Sequence, residues 1–197
     1  MLKRHDVFAH LLGHARYAYQ GHTAAQSFAA FPDDLTPQDV SPHHIPASDL
    51  LTSEQGLFSE DYAALRDAII ATAPSAHWRE TYKGTDIGQD FLDRFGCYSI
   101  IGNGGGFHSQ SLWMWIVYMP SHLHYPWHHH PGEELYIVLA GEADFHRDGE
   151  PSETLRAGGS VFHASNQSHA MTTGEHPVLC LVAWRNGFDT APVLSEI

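Results

Sequence analysis

The chain is poor in cysteine and in basic residues, and it contains no long apolar run. Its two cysteines, Cys97 and Cys180, are too few for a disulfide scaffold and lack the paired short spacing of a thiolate zinc site. Both read as core residues. Lysine and arginine number 10 against 23 aspartates and glutamates, a formal net charge of −13. Such a balance excludes a non-specific electrostatic grip on phosphate backbones or anionic lipid, so neither nucleic acid nor a membrane is an expected partner. No apolar stretch approaches the roughly 18 residues that span a bilayer. The first residues are basic, but His5, Asp6, His10, Gly13, His14 and Arg16 break up the apolar content after them, unlike a signal peptide. A reducing cytoplasm is the expected address, with a monomer or homodimer as the expected state.

What the chain does have is apolar content and histidine. At 43% apolar and 17% charged, the composition is that of a globular protein rather than a disordered segment. The 17 histidines outnumber lysine and arginine together, which invites a metal hypothesis without locating a site.

Two textures divide the sequence. Residues 5–20 carry apolar residues at helical spacing and predict an amphipathic helix, ending near Gly21 and packing by Val7, Leu11 and Ala15. His10 and His14 stand one helical turn apart, but no carboxylate follows at ligand spacing. Residues 31–48 hold four prolines and read as a long irregular connection with His43 and His44 facing solvent. A second helix is predicted over 60–72, with Ser59 as N-cap and Pro74 beyond its end. A weaker one is predicted over 86–95, before the glycine-rich turn at 102–106. From residue 111 onward, short runs rich in Val, Ile, Tyr, Phe and Trp alternate with Gly, Pro, Asn and Asp, the pattern of a compact all-β domain. The expectation is a helical N-terminal extension over 1–95, packed on a mainly β barrel over 96–197 that carries the metal site.

The densest chemical signal is HLHYPWHHHPGEELYIVLAG at 122–141. His128, His130 and Glu134 follow His-x-His-x3-Glu. In a strand, residues two apart share a face, so His128 and His130 can both reach inward while His129 points away. A turn at Pro131-Gly132 then lets Glu134 return to the same point. Downstream, Gly158 is followed eleven positions later by His169, which can add a third imidazole. His163 lies close to His169, but Ser165-Asn166 suggests a turn between them. Two or three histidines and one carboxylate make a mixed N/O site suited to one divalent transition metal: Fe, Mn, Ni, Co or Zn.

These segments resemble the cupin motifs. The first is similar to G-x5-H-x-H-x3,4-E-x6-G, matched at His128, His130, Glu134 and Gly141, with His122 in place of the leading glycine. The second is similar to G-x5-P-x-G-x2-H-x3-N, matched at Gly158 and His169, with Ala164, Asn166 and Thr173 at the remaining positions. A closer resemblance covers most of the chain: a helical extension followed by YPWHxHPGEELYIVLAGEAxF is similar to the cupin-type dimethylsulfoniopropionate (DMSP) lyases, particularly their Q-type branch. The resemblance implies a double-stranded β-helix barrel and cleavage of a small zwitterionic sulfonium substrate to dimethyl sulfide and acrylate. It implies His130, Glu134 and His169 as metal ligands, with His128 as a ligand or close neighbour. It further implies Tyr136 as ligand or base, Tyr125 as candidate base, and Trp184 as a pocket wall.

Chemistry beside that resemblance runs the same way. Tyr136 follows Glu134 at strand spacing, so it is expected in the same cavity, where a divalent cation would lower its pKa. Aromatic faces attract a fixed sulfonium charge by roughly 0.5–2 kcal/mol each, and Trp127, Trp184, Tyr125 and Phe162 are candidate walls. Plainer readings stand beside these: Tyr136 and Trp184 as core residues, and Tyr125 with a direction that Pro126 obscures. The alternatives to a lyase are another metal-dependent cupin enzyme, an oxygenase or isomerase, and a non-catalytic cupin that binds a ligand.

Overall fold

A computed structural model describes residues 4–196, with side chains from Asp6 onward; the His5 side chain lies outside the described residues. Helices α1 (Arg4–Gly21), α2 (Thr23–Phe28), α3 (Pro46–Ser53), α4 (Ala63–Thr72) and α5 (Gln89–Arg94) precede the barrel, with the short strand β1 (Thr36–Pro37) between α2 and α3. Strands β2 (Gly96–Ile101), β3 (Phe107–His108), β4 (Trp113–Met119), β5 (His124–His129), β6 (Glu133–Arg147), β7 (Glu153–Arg156), β8 (Ser160–His163), β9 (His169–Thr172), β10 (Val178–Arg185) and β11 (Val193–Leu194) complete the chain.

The strands connect in the order β1-β3-β2-β4-β10-β6-β9-β5-β11, and β7 and β8 each pair with β6. This is the cupin architecture that the family resemblance implies. Strand β6 belongs to both halves of the barrel: Glu134 to Ile137 pair with β8, and Asp144 to Arg147 pair with β9. Gly141 lies between them with φ +72°. A Cβ there would stand 1.8 Å from the Pro177 carbonyl oxygen, so only glycine permits both the backbone turn and the approach.

Strand alternation assigns side chains to two cores. In β4, Met114, Ile116 and Tyr118 face the helices, while Trp113, Trp115 and Val117 face the barrel interior. All seven residues of that strand are buried, because the helical extension covers the outer face that an antiparallel sheet commonly leaves to water. Helix α1 packs there through Phe8, Leu11, Ala15 and Tyr19. Phe8, not Val7, is its first anchor, because the missing side chain of Gly106 makes room: a Cβ would meet the Phe8 ring at 2.6 Å.

The predicted helices shorten. In the 60–72 segment, the Ser59 hydroxyl accepts the Tyr62 N–H at 3.1 Å and the regular helix starts at Ala63. The 86–95 segment narrows to α5, behind Gly88 with φ +94°. Helix α3 falls inside and beyond the proline-rich connection. Pro46 occupies its first turn, where a proline has no donor to lose.

The barrel also explains the motif departures. His122 and Asn166, which replace motif glycines, hold φ +55° and +59°, beside +89° at Gly158. Thr173, in the asparagine position, donates its hydroxyl to the Pro120 carbonyl at 2.6 Å and accepts the Leu123 N–H at 2.9 Å. It thereby ties down the entry to β5. Gly141→Ala is expected to cost about 3 kcal/mol or more, whereas His122→Gly should stay within about 1 kcal/mol, since relief of the left-handed backbone offsets added unfolded-state freedom. Urea unfolding of both variants checks this.

Candidate metal centre and active-site cavity

Three imidazoles and a carboxylate converge inside the barrel. The register places them: His128 pairs directly with His169 across β5 and β9, and Glu134 lies between His163 on β8 and Trp184 on β10. The ligand atoms of His128, His130, Glu134 and His169 all lie within 4.8 Å of one another, and all four residues are buried.

The tautomers are set by the backbone. His128 Nδ1 donates to the Pro126 carbonyl at 2.9 Å, His130 Nδ1 to the Gly132 carbonyl at 2.9 Å, and His169 Nδ1 to the Gln167 carbonyl at 2.8 Å. Each Nε2 is therefore left as the free donor atom of a neutral ring, as a metal ligand requires. His130 Nε2 lies 2.8 Å and His169 Nε2 2.9 Å from the same Glu134 oxygen. His169 Nε2 nevertheless has no well-directed hydrogen-bond partner among the described residues. A buried, orphaned imidazole nitrogen beside two more imidazoles and a carboxylate fits a divalent transition metal.

The cavity beside this cluster has a volume of about 240 Å³ and is lined by Tyr125, Tyr136, Trp113, Trp115 and Trp184 as well as by His128, His130 and Glu134. Trp184 stacks on His130 at 4.0 Å and Tyr125 on His128 at 4.0 Å. Tyr125 and His128, three apart, both face inward because a bulge interrupts the β5–β9 pairing between them. Trp127, next to the inward His128, alternates out of the cavity, where its ring meets His146 at 6.2 Å. Trp127 is therefore not a pocket wall, contrary to the sequence expectation. Phe162 is not one either, being 38% exposed and packed near Phe28. His129 hydrogen-bonds Ser195 at 2.9 Å.

The family model for dimethylsulfoniopropionate lyase matches residues 20–180. The chain belongs to the DMSP lyase family. It is 46% identical to dimethylsulfoniopropionate lyase DddQ of Ruegeria pomeroyi over 99% of this chain and 97% of that protein. The crystal structure of DddQ from that organism superposes with a TM-score of 0.95 at 47% identity, covering 96% of each chain. A chain from the crystal structures of the DMSP lyases RdDddP and RnDddQII superposes with a TM-score of 0.93 at 39% identity, covering 98% of this chain and 100% of that one.

This DMSP lyase has site residues that sequence reasoning missed. His163 is fully buried, stacks on His169 at 4.0 Å and places Nδ1 3.4 Å from Glu134. Its pairing with Glu134 across β6 and β8 brings it in despite the turn beyond it. Arg79 lines the cavity with its guanidinium 4.1 Å over the Trp115 ring. Cys97 lines it too, its thiol pushed up to about 12 by burial. The Trp113-x-Trp115 alternation in β4 was a readable signal for two inward tryptophans; nothing local marked Arg79.

Burial dominates the electrostatics. It works to raise the Glu134 carboxyl, but His130, His163 and His169 outweigh it and hold Glu134 well below the usual carboxylate range. His130 is in turn drawn above its ordinary value, burial being overcome by Glu134. Burial, with His169 beside each, depresses His128 strongly and His163 from 6.5 to about 4. Tyr125 and Tyr136 are pushed well above 10, chiefly by burial.

His128 and His163 bind protons more tightly when unfolded, so acid favours unfolding between pH 6.5 and about 4. His130 acts oppositely, its contribution being complete below 6.5 and lost as pH rises. Metal-stripped protein is expected to lose stability across that window, the His163 share being on the order of 3 kcal/mol. His163→Gln should flatten the slope of urea-unfolding free energy against pH; an unchanged slope overturns the assignment.

Proposed function

We propose that this DMSP lyase works by β-elimination, releasing dimethyl sulfide and acrylate, with His128, His130, Glu134 and His169 holding one divalent transition metal and Tyr125 and Tyr136 managing the proton. The observation that carries this reading is the four-donor cluster, within 4.8 Å, three of whose members line a cavity together with the two tyrosines.

A divalent ion held there supplies a Lewis acid that withdraws electron density from the substrate carboxylate and favours loss of the α-proton. The remaining work belongs to the chain. One tyrosine oxygen takes the α-proton, the C–H electron pair becomes the new C=C bond, and the C–S pair leaves with neutral dimethyl sulfide. Trp113, Trp115 and Trp184 offer aromatic faces to the sulfonium before its charge is lost.

No helix among the described residues is long and apolar enough to cross a membrane. The two buried free thiols, Cys97 and Cys180, suit a reducing cytoplasm.

Headspace detection of dimethyl sulfide, from purified protein loaded in turn with Fe(II), Mn(II), Zn(II), Co(II) and Ni(II) and supplied with DMSP, tests the reading. Release well above a metal-stripped control is expected. Folded, metal-loaded protein that releases none with any ion overturns it. Tyr136→Phe should keep the fold and lose about 10²- to 10⁴-fold in turnover, and full activity there removes Tyr136 from the chemistry. Glu134→Gln should lower bound metal, measured by elemental analysis.

A further inference from the structure

The hydroxyl of Tyr125 meets a second buried hydroxyl. Tyr82 Oη lies 2.8 Å from Tyr125 Oη, and the two residues are only 2% and 5% exposed. Tyr125 lines the cavity and Tyr82 does not; Tyr82 approaches from behind, out of the segment that precedes the barrel. From this geometry we infer that Tyr82 is a positioning residue for the lyase reaction, donating its O–H to Tyr125 and aiming the Tyr125 oxygen at the substrate. The inference rests on the lyase reading above and on Tyr125 as a proton acceptor.

The surroundings leave Tyr125 little else. Its ring lies against His128 at 4.0 Å on one side, with Phe95 at 4.6 Å and Phe91 at 5.4 Å from the extension. These rings fix the plane of the phenol, but they offer its oxygen no donor. Tyr82 does, and it is itself held: its carbonyl accepts the Thr85 N–H at 3.1 Å and the Thr85 hydroxyl at 2.8 Å. Arg94 donates to the Ser121 carbonyl at 2.7 Å, which pins α5 to the entry of β5.

Hydrogen-bond chemistry sets the direction. Either hydroxyl can donate while both are neutral. An oxygen about to accept the substrate α-proton has no proton to give its neighbour, so the shared hydrogen must come from Tyr82. With one lone pair so engaged, another is left for the cavity side, and the acceptor is oriented before substrate arrives. The helical extension then completes the active site as well as covering the barrel.

The test compares metal-loaded parent, Tyr82→Phe, Tyr125→Phe, the double variant and Phe91→Leu, by dimethyl sulfide release from DMSP. Tyr82→Phe should lower kcat by about 10- to 100-fold, with KM within about twofold and bound metal unchanged. The double variant should turn over no more slowly than Tyr125→Phe alone, because a residue that acts through Tyr125 has nothing left to act on. Phe91→Leu, which disturbs the same packing and keeps both hydroxyls, should lose much less than Tyr82→Phe. Losses that multiply in the double variant, an equal loss in Phe91→Leu, or a Tyr82→Phe kcat within about twofold of parent each overturn the role of Tyr82 and leave the lyase standing. A parent that releases no dimethyl sulfide sinks both.

Discussion

A carboxylate enclosed in a barrel interior is intolerable unless it is met by donors or positive charge. Glu134 sets that constraint, and much of the local structure answers it. His130, His163 and His169 each bring a ring nitrogen within 3.4 Å of one of its oxygens. His128, His130 and His169 spend their Nδ1 atoms on backbone carbonyls two residues away, so the turns that carry those carbonyls fix how the three rings are aimed. The Pro131-Gly132 turn shows how tight the arrangement is: a Cβ on Gly132 would stand 1.9 Å from the Trp184 indole nitrogen, and Trp184 is the ring that covers His130.

The division of labour between extension and barrel follows from strand alternation. Every strand of the central sheet has an inward set and an outward set, and both are buried in β2, in β4 and in β10 as far as Trp184. The inward set alone makes a cavity; the outward set demands a cover, which helices α1, α3 and α4 provide through Leu11, Leu51 and Ile69. Cover and site are not independent layers, since the stretch from Arg79 to Phe95 reaches around the barrel end and contacts Trp115 and Tyr125 from the cavity side and from behind.

Much of this was legible in the residues. Spacing alone put His128, His130, Glu134 and Tyr136 on converging strands, because period-two alternation and a Pro-Gly turn leave little freedom. The N-terminal helix was legible to within a residue at each end, and so were Leu11 and Ala15 on its buried face; its first anchor was not, because Phe8 depends on a glycine nearly a hundred residues away. Three things were hidden for physical reasons. A bulge between Tyr125 and His128 adds a residue to the strand count, and so brings Tyr125 to the face that His128 occupies. His163 joins Glu134 through strand register, which a linear sequence does not display. Tyr82 and Arg79 lie in an irregular segment whose path is fixed only by the barrel it crosses.

The left-handed backbone at His122 and Asn166 bears on how such chains are recognised. A pattern that demands the letter glycine at those two places rejects this protein twice, although the chain takes the required course at both. The barrel asks for a torsion angle. Glycine is its cheapest supplier, asparagine is a natural second, and a histidine serves once the neighbouring threonine holds the bend. A motif written as allowed backbone regions, with side-chain identity demanded only at the donors, would admit relatives that a glycine-based pattern discards.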